Sequence, residues 1–332
     1  MNSFGTLFKI NIFGESHGES VGILIDGIPA GLSLSIEDFL IDIERRKGGL
    51  QKGTTPRKEE DLPIFKSGIF NGKTTGSPLT ILFENNNTRS NDYEKQQAIP
   101  RPGHADFVAN KKFGGFEDYR GSGHFSGRLT LCLVAAGVIA KKILQNIKIQ
   151  ATIIEIGGET NISAGLQKAI DNQDSVGGII ECKTIGLPIG LGEPFFNSVE
   201  SLISHIVFSI PAIKGIEFGS GFAAAKMFGS QHNDSIINEG GITKTNNAGG
   251  IVGGLTNGNE LIFRVVIKPT SSTPKEQQSL NTTTNKVEEF SIKGRHDLCI
   301  ALRVPVVLEA VTAIVLADLM MLEQRVARVI AD

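Results

Sequence analysis

Residues 127–144 read GRLTLCLVAAGVIAKKIL, and this stretch is apolar on nearly every face of a helix. A helix without a polar face has to be covered on all sides, by protein or by lipid. The side chains that favour water lie near its two ends, at Arg128, Thr130, Lys141 and Lys142. We therefore predict a buried central helix around which the rest of the chain is arranged.

The segments on both sides of this helix have the alternating pattern of strands. Before it, strands are predicted over Phe4 to Ile12 and Val21 to Ile28, joined by the turn Gly14 to Gly18. After it, strands are predicted over Ile149 to Ile156 and Gly177 to Ile185. Strands that adjoin in sequence favour antiparallel pairing. We therefore predict an α+β fold of antiparallel sheets flanked by helices, as one domain over residues 1–332.

Helical spacing, alternation and polar composition predict the remaining elements. A capping box at Ser35 and Asp38 indicates a helix that ends near Gly48 and Gly49. The other predictions are strands over Leu62 to Phe70, Leu79 to Phe83 and Leu261 to Ile267, helices over Leu202 to Ile210 and, amphipathic, over Val306 to Val329, and loops over Asn85 to Gln97 and Thr270 to Thr284.

Composition argues against several classes of protein. The formal net charge of -2 removes the electrostatic reason to expect nucleic acid or an anionic membrane as partner. The three cysteines are far apart and lack the C-x-x-C spacing of a disulfide framework or zinc site, so we expect a reducing compartment and no metal. The most apolar stretch contains Glu309 and Asp318, which are costly in lipid, so we expect no membrane span.

The turn Gly14-Glu15-Ser16-His17-Gly18 has two interpretations. It satisfies the G-x-S-x-G pattern of a hydrolase, in which Ser16 would be the nucleophile. Such an elbow needs a helix after the serine, whereas a predicted strand follows here. The alternative is a glycine turn that presents His17.

Two further segments place a histidine on a turn. Arg101-Pro102-Gly103-His104-Ala105-Asp106 pairs an imidazole with a carboxylate, as a tuned acid would need, although a surface histidine and a helix cap explain it equally well. Gly121 to Arg128 precedes the central helix, and its backbone amides, glycines and arginine could cradle an anion. Ordinary capping by Ser126 is the alternative.

Cations, hydroxyls and glycines form three more candidate regions. The basic cluster from Arg45 to Lys58 is either a solvated face or one wall of a pocket for a polyanion. Lys268-Pro269-Thr270-Ser271-Ser272 could hold a phosphate, and the glycines from Gly249 to Gly258 allow close approach to a flat ligand or form plain turns. Gly294-Arg295-His296-Asp297 is either a reactive group or a structural ion pair.

Taken in this order, the motifs resemble the chorismate synthase family, and the resemblance covers most of the chain. It implies a β-α-β sandwich, a homotetramer, and conversion of 5-enolpyruvylshikimate 3-phosphate to chorismate and phosphate with reduced FMN, for aromatic amino acid biosynthesis in the cytoplasm. The matching blocks are Phe13 to Gly18, Arg45 to Asp61, Arg101 to Asp106, Asp118 to Lys142, Gly215 to Gln231, Asn246 to Ser272 and Gly294 to Glu309.

The resemblance also implies roles for single residues. His17 would help to protonate the departing phosphate, His104 would act near N1 of the reduced flavin, and Asp297 would work with flavin N5 to remove the C6 proton. Substrate or NADP would be bound by Arg46, Lys52, Arg57, Arg101 and Arg128. FMN would be bound by His124, Phe125, Ser126, Pro211, Ala212, Gly253, Lys268, Pro269, Thr270, Ser271, Ser272 and Arg295.

Three departures from the usual family pattern stand out. The family often has Arg-Ser-Ser-Ala-Arg where this chain has His124 to Arg128, arginine at Lys52, and asparagine at Pro211. An imidazole and an ammonium thus replace forked guanidinium groups. Two other classes stay open on sequence grounds, a serine hydrolase using Ser16 and a nonenzymatic flavin- or phosphate-binding protein. An external flavin reductase is a possible partner, alongside reduction by the enzyme itself.

Overall fold

The structure, a computed structural model, describes residues 2–49, 53–55, 59–87, 98–292 and 296–330. Its strands are β1 (Ser3–Phe4), β2 (Lys9–Gly14), β3 (Ser20–Asp26), β4 (Ile64–Ser67), β5 (Ile69–Phe70), β6 (Lys73–Thr74), β7 (Leu79–Glu84), β8 (Lys148–Ile156), β9 (Gly178–Ile185), β10 (Ile213–Phe218), β11 (Ile251–Val252), β12 (Leu255–Thr256), β13 (Leu261–Ile267), β14 (Gln277–Asn281) and β15 (Lys286–Phe290). Its helices are α1 (Glu37–Arg46), α2 (Asp106–Phe113), α3 (Thr130–Leu144), α4 (Ile162–Asp171), α5 (Val199–Val207), α6 (Gly229–His232) and α7 (Val304–Leu322).

Two antiparallel sheets form the outer layers. The first has the strand order β1-β2-β3-β7-β4, and the second has the order β10-β13-β9-β8. The opening hairpin pairs Lys9 with Asp26 and Gly14 with Val21, as the turn in the sequence predicted. The predicted antiparallel pairing is therefore confirmed in both sheets.

The two long apolar helices lie between the sheets. Helix α3 packs against β2 and β3 of the first sheet, α7 packs against β8 and β9 of the second, and the two helices pack on each other. The two helices approach closely at Gly137, where an added Cβ would lie 2.3 Å from the Cβ of Ala310. A side chain there would force the helices apart. The layers confirm the predicted α+β sandwich, and α3 is the buried central helix.

Helix α7 carries two carboxylates that bind other elements. Glu309 accepts hydrogen bonds from Arg45 at 2.7 Å and from Lys141 at 3.1 Å, as well as from the backbone N–H of Ala151. Burial alone would raise the pKa of Glu309, but these bonds outweigh it and lower the pKa. Asp318 accepts the backbone N–H groups of the turn at residues 6–8.

Residues 300–322 are, within the described part of the chain, the one helix long and apolar enough to cross a membrane, with a mean hydropathy of 2.1. Length and composition alone do not separate such a span from a core helix. Here 78% of the apolar window is buried by protein. Because both of its carboxylates bind protein groups, we interpret α7 as a core helix.

Two predicted elements were wrong. The last helix was predicted as amphipathic over Val306 to Val329, but it ends at Leu322 and is buried on nearly every side. The chain beyond Leu322 turns back, and Val329 forms a bridge to Ala30. The predicted loop Thr270 to Thr284 contains β14, which pairs with β15 through polar side chains that hide the strand pattern.

Other differences concern boundaries. The predicted strand Phe4 to Ile12 is broken into β1 and β2, because Gly5 has φ 93° and Asp318 holds the turn that follows. The predicted helix Leu202 to Ile210 begins earlier, at Val199, where the Ser198 side chain caps it. Of the predicted capping box, the bond from the Ser35 N–H to Asp38 is present at 2.8 Å, whereas the N-cap residue of α1 is Ile36, which makes no side-chain cap bond.

Candidate active site

Two cavities open beside the N-terminal end of α3. The larger cavity has a volume of about 570 Å³, and the smaller one, called the cationic cavity below, about 230 Å³. They share the lining residues Ser126, Gly127, Thr130, Pro211, Thr270 and Ile300. Two ligands bound in them would therefore lie side by side.

The larger cavity collects most of the predicted cofactor residues. Its volume is within the range of about 300–1,000 Å³ that is usual for small-molecule and cofactor sites. Its lining includes His104, His124, Phe125, Ser126, Pro211, Ala212, Lys268, Pro269, Thr270, Ser271 and Ser272.

Two predicted cofactor residues are not placed there. Gly253 lies in the turn between β11 and β12 with φ 63°, and it lines neither cavity of this chain. Arg295 lies outside the described residues, as do the predicted substrate residues Lys52 and Arg57. The roles of all four residues stay predictions.

The segment after β13 presents an ammonium and hydroxyls to the larger cavity. Lys268 Nζ donates to Ser271 Oγ at 2.6 Å and to the carbonyl oxygen of Gly103 at 3.0 Å. Burial, assisted by the nearby Lys214, lowers the pKa of Lys268. A partly desolvated cation beside hydroxyl donors is suited to hold a phosphate.

The same cavity has His124 and Ala212 on its walls. His124 bonds through Nδ1 to the carbonyl oxygen of Gly14 at 2.9 Å, so Nδ1 is the protonated nitrogen of this ring. Ala212 has φ 74°, which is strained for a residue other than glycine, and its carbonyl accepts the N–H of Lys268 at 2.9 Å. These hydrogen bonds fix the His124 ring and the backbone at Ala212 on the cavity wall.

The cationic cavity contains the three described arginines that were predicted to bind substrate. Arg46, Arg101 and Arg128 are each at most 7% exposed, although buried arginines are rare unless paired. Their surroundings carry an excess of positive charge, since five cationic side chains face three carboxylates. The charged residues of the lining are Arg46, Lys47, Arg101, Arg128, Arg303, Glu59, Asp61 and Asp297.

Arg46 and Arg128 share one carboxylate. Arg128 Nη1 donates to Asp61 Oδ1 at 2.8 Å, and Arg46 Nη1 lies 3.7 Å from Asp61 Oδ2. Burial, followed by repulsion from Arg303, lowers the pKa of Arg46 to about 9, which still leaves it charged at neutral pH. A bound anion would relieve this crowding of cations.

The basic cluster in the sequence is divided by the fold. Arg46 points into the cationic cavity, whereas Arg45 bonds Glu309 on the other side of α1. Neighbours on a helix point in different directions, so a run of cations does not define one face. The described members of the cluster therefore do not form one solvated face, and they do not all form one wall of a pocket.

Asp297 is held at the cationic cavity by two donors. Its Oδ1 accepts the N–H of Thr55 at 2.9 Å, and its Oδ2 accepts from Arg303 Nη1 at 3.0 Å. Arg303 also donates through Nε to the carbonyl oxygen of Arg46 at 2.9 Å. Each carboxylate oxygen keeps one lone pair, so the group can still accept a proton.

His104 is oriented by the motif in which it lies. Its Nδ1 is 2.7 Å from Asp106 Oδ1, and its Nε2 is 3.2 Å from Ser122 Oγ. Arg101 donates a hydrogen bond of 2.7 Å to each carboxylate oxygen of Asp106, through Nε and Nη2. Burial alone would raise the pKa of Asp106, but the bonds from Arg101 and His104 lower it far below its ordinary value. The carboxylate therefore stays ionised and orients the imidazole.

The turn Gly121 to Gly123 links His17 to this group. A Cβ on Gly121 would lie 2.2 Å from two ring atoms of His17, so the imidazole packs directly on the glycine. Ser122, in the same turn, contacts His104. His17 is 7% exposed and lines neither cavity, although its neighbour Ser16 lines the cationic one.

The three predicted catalytic residues are thus grouped around two adjoining cavities. His104 lines the larger cavity, Asp297 lines the cationic cavity, and His17 lies behind the cationic cavity's wall. Three further residues received no role from the sequence, namely Ser122, His296 and Arg303. Each lies in a block that had been singled out. Ser122 contacts His104, Arg303 contacts Asp297 six residues before it, and His296 lines the cationic cavity.

The hydrolase interpretation of Ser16 is disfavoured by the local structure. Ser16 is 1% exposed and lies in the turn between β2 and β3, with a strand rather than a helix after it. A nucleophile elbow needs a strand, a turn and a helix so that the hydroxyl is exposed. Over the described parts of the chain, no group of three or more His, Cys, Asp or Glu side chains could hold a metal ion.

Comparison with known proteins gives one consistent family. The family model for chorismate synthase matches residues 8–321. The chorismate synthase of Chitinophaga pinensis is 71% identical over 330 residues and covers 99% of both chains, and that of Methanocaldococcus jannaschii is 40% identical with 96% of both chains covered. A crystal structure of a chorismate synthase superposes with a TM-score of 0.74 at 26% identity, over 96% of this chain and 93% of that chain.

Proposed function

The chain belongs to the chorismate synthase family and is a carbon–oxygen lyase of the shikimate pathway; from this premise we propose that it uses reduced FMN to convert 5-enolpyruvylshikimate 3-phosphate to chorismate and phosphate. The observation that carries the proposal is the pair of adjoining cavities. One offers hydroxyls, an ammonium and Phe125, and the other offers buried guanidinium groups. A flat phosphorylated cofactor and a polyanionic substrate fit this pair.

The larger cavity fits FMN by size and by its polar groups. Lys268 and Ser271 would hold the phosphate, and Phe125 together with the backbone at Pro211 and Ala212 would line the ring. When bound, reduced FMN would supply electron density that eases cleavage of the C–O bond to phosphate. The protein supplies binding, orientation and proton transfer.

The cationic cavity would bind the substrate's two carboxylates and its phosphate. Arg46 and Arg128 share the single carboxylate of Asp61, so positive charge remains for an anion. These side chains are already buried and held by the protein, so little conformational entropy is lost when the substrate binds. The substrate would thereby lie against the shared wall of the two cavities.

Proton transfer is assigned to the three grouped residues. Asp297 would remove the C6 proton of the substrate, because its carboxylate is fixed by Thr55 and Arg303 at the cavity surface. His104, oriented by Asp106, would act near N1 of the reduced flavin, at the larger cavity. His17 would help to protonate the departing phosphate, with a small displacement of the adjacent wall at Ser16.

An anaerobic assay tests the function directly. The purified chain, supplied with chemically reduced FMN and 5-enolpyruvylshikimate 3-phosphate, should release phosphate and form chorismate in equal amounts. Oxidised FMN serves as the matched control and should support no turnover. Tight FMN binding without product under reducing conditions would instead favour a nonenzymatic flavin-binding protein.

Lys268→Met should lower the affinity for FMN about tenfold, because one charge-assisted contact to the phosphate is worth about 1.5 kcal/mol. The measurement is fluorescence titration with FMN. Lys275→Met is the control, since Lys275 is near the same segment but faces Asp174 at 3.7 Å. An equal loss in both variants would contradict a specific phosphate contact by Lys268.

Gly121→Ala should lower turnover about 100-fold, because the new methyl group would displace the His17 ring and small misplacements of catalytic groups have effects of that size. Steady-state turnover and thermal melting check it. Gly72→Ala is the matched control, since Gly72 also has a positive φ, 73°, but has nothing within 4 Å of an added Cβ. If Gly121→Ala and Gly72→Ala lose turnover equally, backbone strain rather than His17 is responsible.

We further propose that the chain is a cytoplasmic homotetramer. In support, the large apolar side chains Phe195, Phe196, Phe222 and Phe228 are 77–91% exposed, and exposed apolar patches commonly mark protein interfaces. Light scattering during gel filtration measures the mass directly. Reduced FMN would come either from an external flavin reductase or from the enzyme itself, and reduction of FMN by the purified chain with NADPH alone would favour the second.

A further inference from the structure

His296 is an imidazole in the cationic cavity for which the reaction outlined above has no use. It lines that cavity together with its neighbour Asp297. Its Nε2 is buried, and within the described ranges it has no hydrogen-bond partner. A buried nitrogen left without a partner costs about 1–3 kcal/mol. The position is therefore unfavourable unless a ligand completes it.

The surroundings of His296 favour the neutral imidazole. Burial lowers the pKa of His296, Arg101 and His104 lower it further, and the opposing effect of Asp297 is smaller than that of burial. A neutral imidazole has one donor and one acceptor nitrogen. It therefore adds no positive charge to the cavity, but it can donate one hydrogen bond.

The charge of the cavity indicates the chemistry of the missing partner. Cationic side chains outnumber carboxylates in its lining, which attracts anions and repels cations. A group that reaches Nε2 from this cavity is therefore an anionic oxygen. An anionic oxygen accepts, so Nε2 would carry the proton.

We propose that His296 is a substrate-binding residue whose Nε2–H donates a hydrogen bond to a phosphate or carboxylate oxygen of the substrate in the cationic cavity. The proposal rests on the proposed function and adds a contact to the same site. The N–H of a neutral imidazole makes a hydrogen bond of defined direction to the substrate. This bond supplements the electrostatic attraction between the arginines and the anionic substrate, which is less directional. Its loss should weaken substrate binding more than FMN binding.

The test is equilibrium binding of 5-enolpyruvylshikimate 3-phosphate to the enzyme with oxidised FMN, so that no turnover consumes the ligand. A hydrogen bond to a charged oxygen is worth about 1.5–3 kcal/mol, which is about 10- to 100-fold in Kd. His296→Leu and His296→Asn should show that loss. His296→Gln, whose amide nitrogen can take the place of Nε2, should stay within about threefold of the parent chain.

Two outcomes would overturn the proposal. Unchanged affinity in His296→Leu would exclude the contact, and equal losses in the glutamine and leucine variants would indicate a packing role. His232→Leu is the control, because His232 lines neither cavity. Melting temperatures report on folding, and the glutamine and asparagine variants keep the comparison valid if leucine is not tolerated.

Inorganic phosphate identifies the oxygen that accepts. If the Kd of inorganic phosphate rises in His296→Leu as the Kd of the substrate does, Nε2 contacts the phosphate of the substrate. If only the Kd of the substrate rises, Nε2 contacts a carboxylate. Both results support the proposal. Should the parent chain bind phosphate but not the substrate, the proposed function fails, and His296 is then judged by whether the leucine variant loses phosphate.

Discussion

Replacing Asp297 by asparagine is expected to lower turnover about 1,000-fold at saturating substrate and reduced FMN. In the proposed reaction Asp297 removes the C6 proton, which an amide cannot accept, and removal of a general base typically costs about 100- to 10,000-fold. The size and shape of the side chain are kept. The amide oxygen can still accept the N–H of Thr55, so the backbone at residue 55 should stay in place.

The measurement is the initial rate of chorismate formation under anaerobic conditions, with FMN affinity determined in parallel. FMN affinity should change less than threefold, because Asp297 lines the cationic cavity and not the larger one. Asp171→Asn is the control, since Asp171 is exposed and bonds only Gln167 among the described residues. A loss of turnover below tenfold would show that another group removes the proton.

A second replacement, Asp61→Asn, is expected to lower the free energy of unfolding by about 3 kcal/mol. Asp61 is 4% exposed and is the shared counter-ion of Arg46 and Arg128, both buried. Removing one partner of a buried ion pair leaves an uncompensated charge and typically costs about 3–5 kcal/mol. Asparagine also tolerates the positive φ of 52° at this position, so backbone strain is not added.

Urea unfolding of the parent chain and the variant measures the change. Inorganic phosphate should stabilise the variant more than the parent, because an anion in the cationic cavity replaces part of the missing charge. Asp26→Asn is the control, as Asp26 is exposed and bonds the adjacent Gly27 N–H. If the free energy of unfolding falls by less than about 1 kcal/mol, the charges of Arg46 and Arg128 are compensated without Asp61.

Sequence patterns predicted the helices and strands whose own apolar residues, by their spacing, show which faces are buried. Helix α3 and strands β8, β9 and β13 lie within a residue or a few of their predicted positions. The patterns failed for elements whose burial depends on contacts with other parts of the chain. Helix α7 keeps Glu309 and Asp318 inside because Arg45, Lys141 and backbone N–H groups reach them, so its charges do not mark a solvent face. The polar hairpin β14–β15 has no apolar alternation to reveal it.

The sequence named segments that the structure brings together, but it did not predict the geometry of their contacts, and the roles of the residues stay predictions. The motifs at His104, Ser126 and Lys268 do line one cavity, because each follows or precedes an element that the sequence defines. The contact of Arg303 with the carbonyl oxygen of Arg46, and that of His17 with Gly121, could not be derived from spacing. Gly253 belongs to a predicted cofactor block yet lies away from this chain's cavities.

The sequence by itself predicted the family and the class of fold, and it named candidate site residues whose roles stay predictions, because motifs and hydrophobic periodicity are local properties of the chain. Only the tertiary structure decided which charges meet: Asp61 between Arg46 and Arg128, and Glu309 between Arg45 and Lys141. Hydrogen bonds and buried ion pairs act over about 3–4 Å. Contacts at that range between residues far apart in sequence depend on how the layers pack.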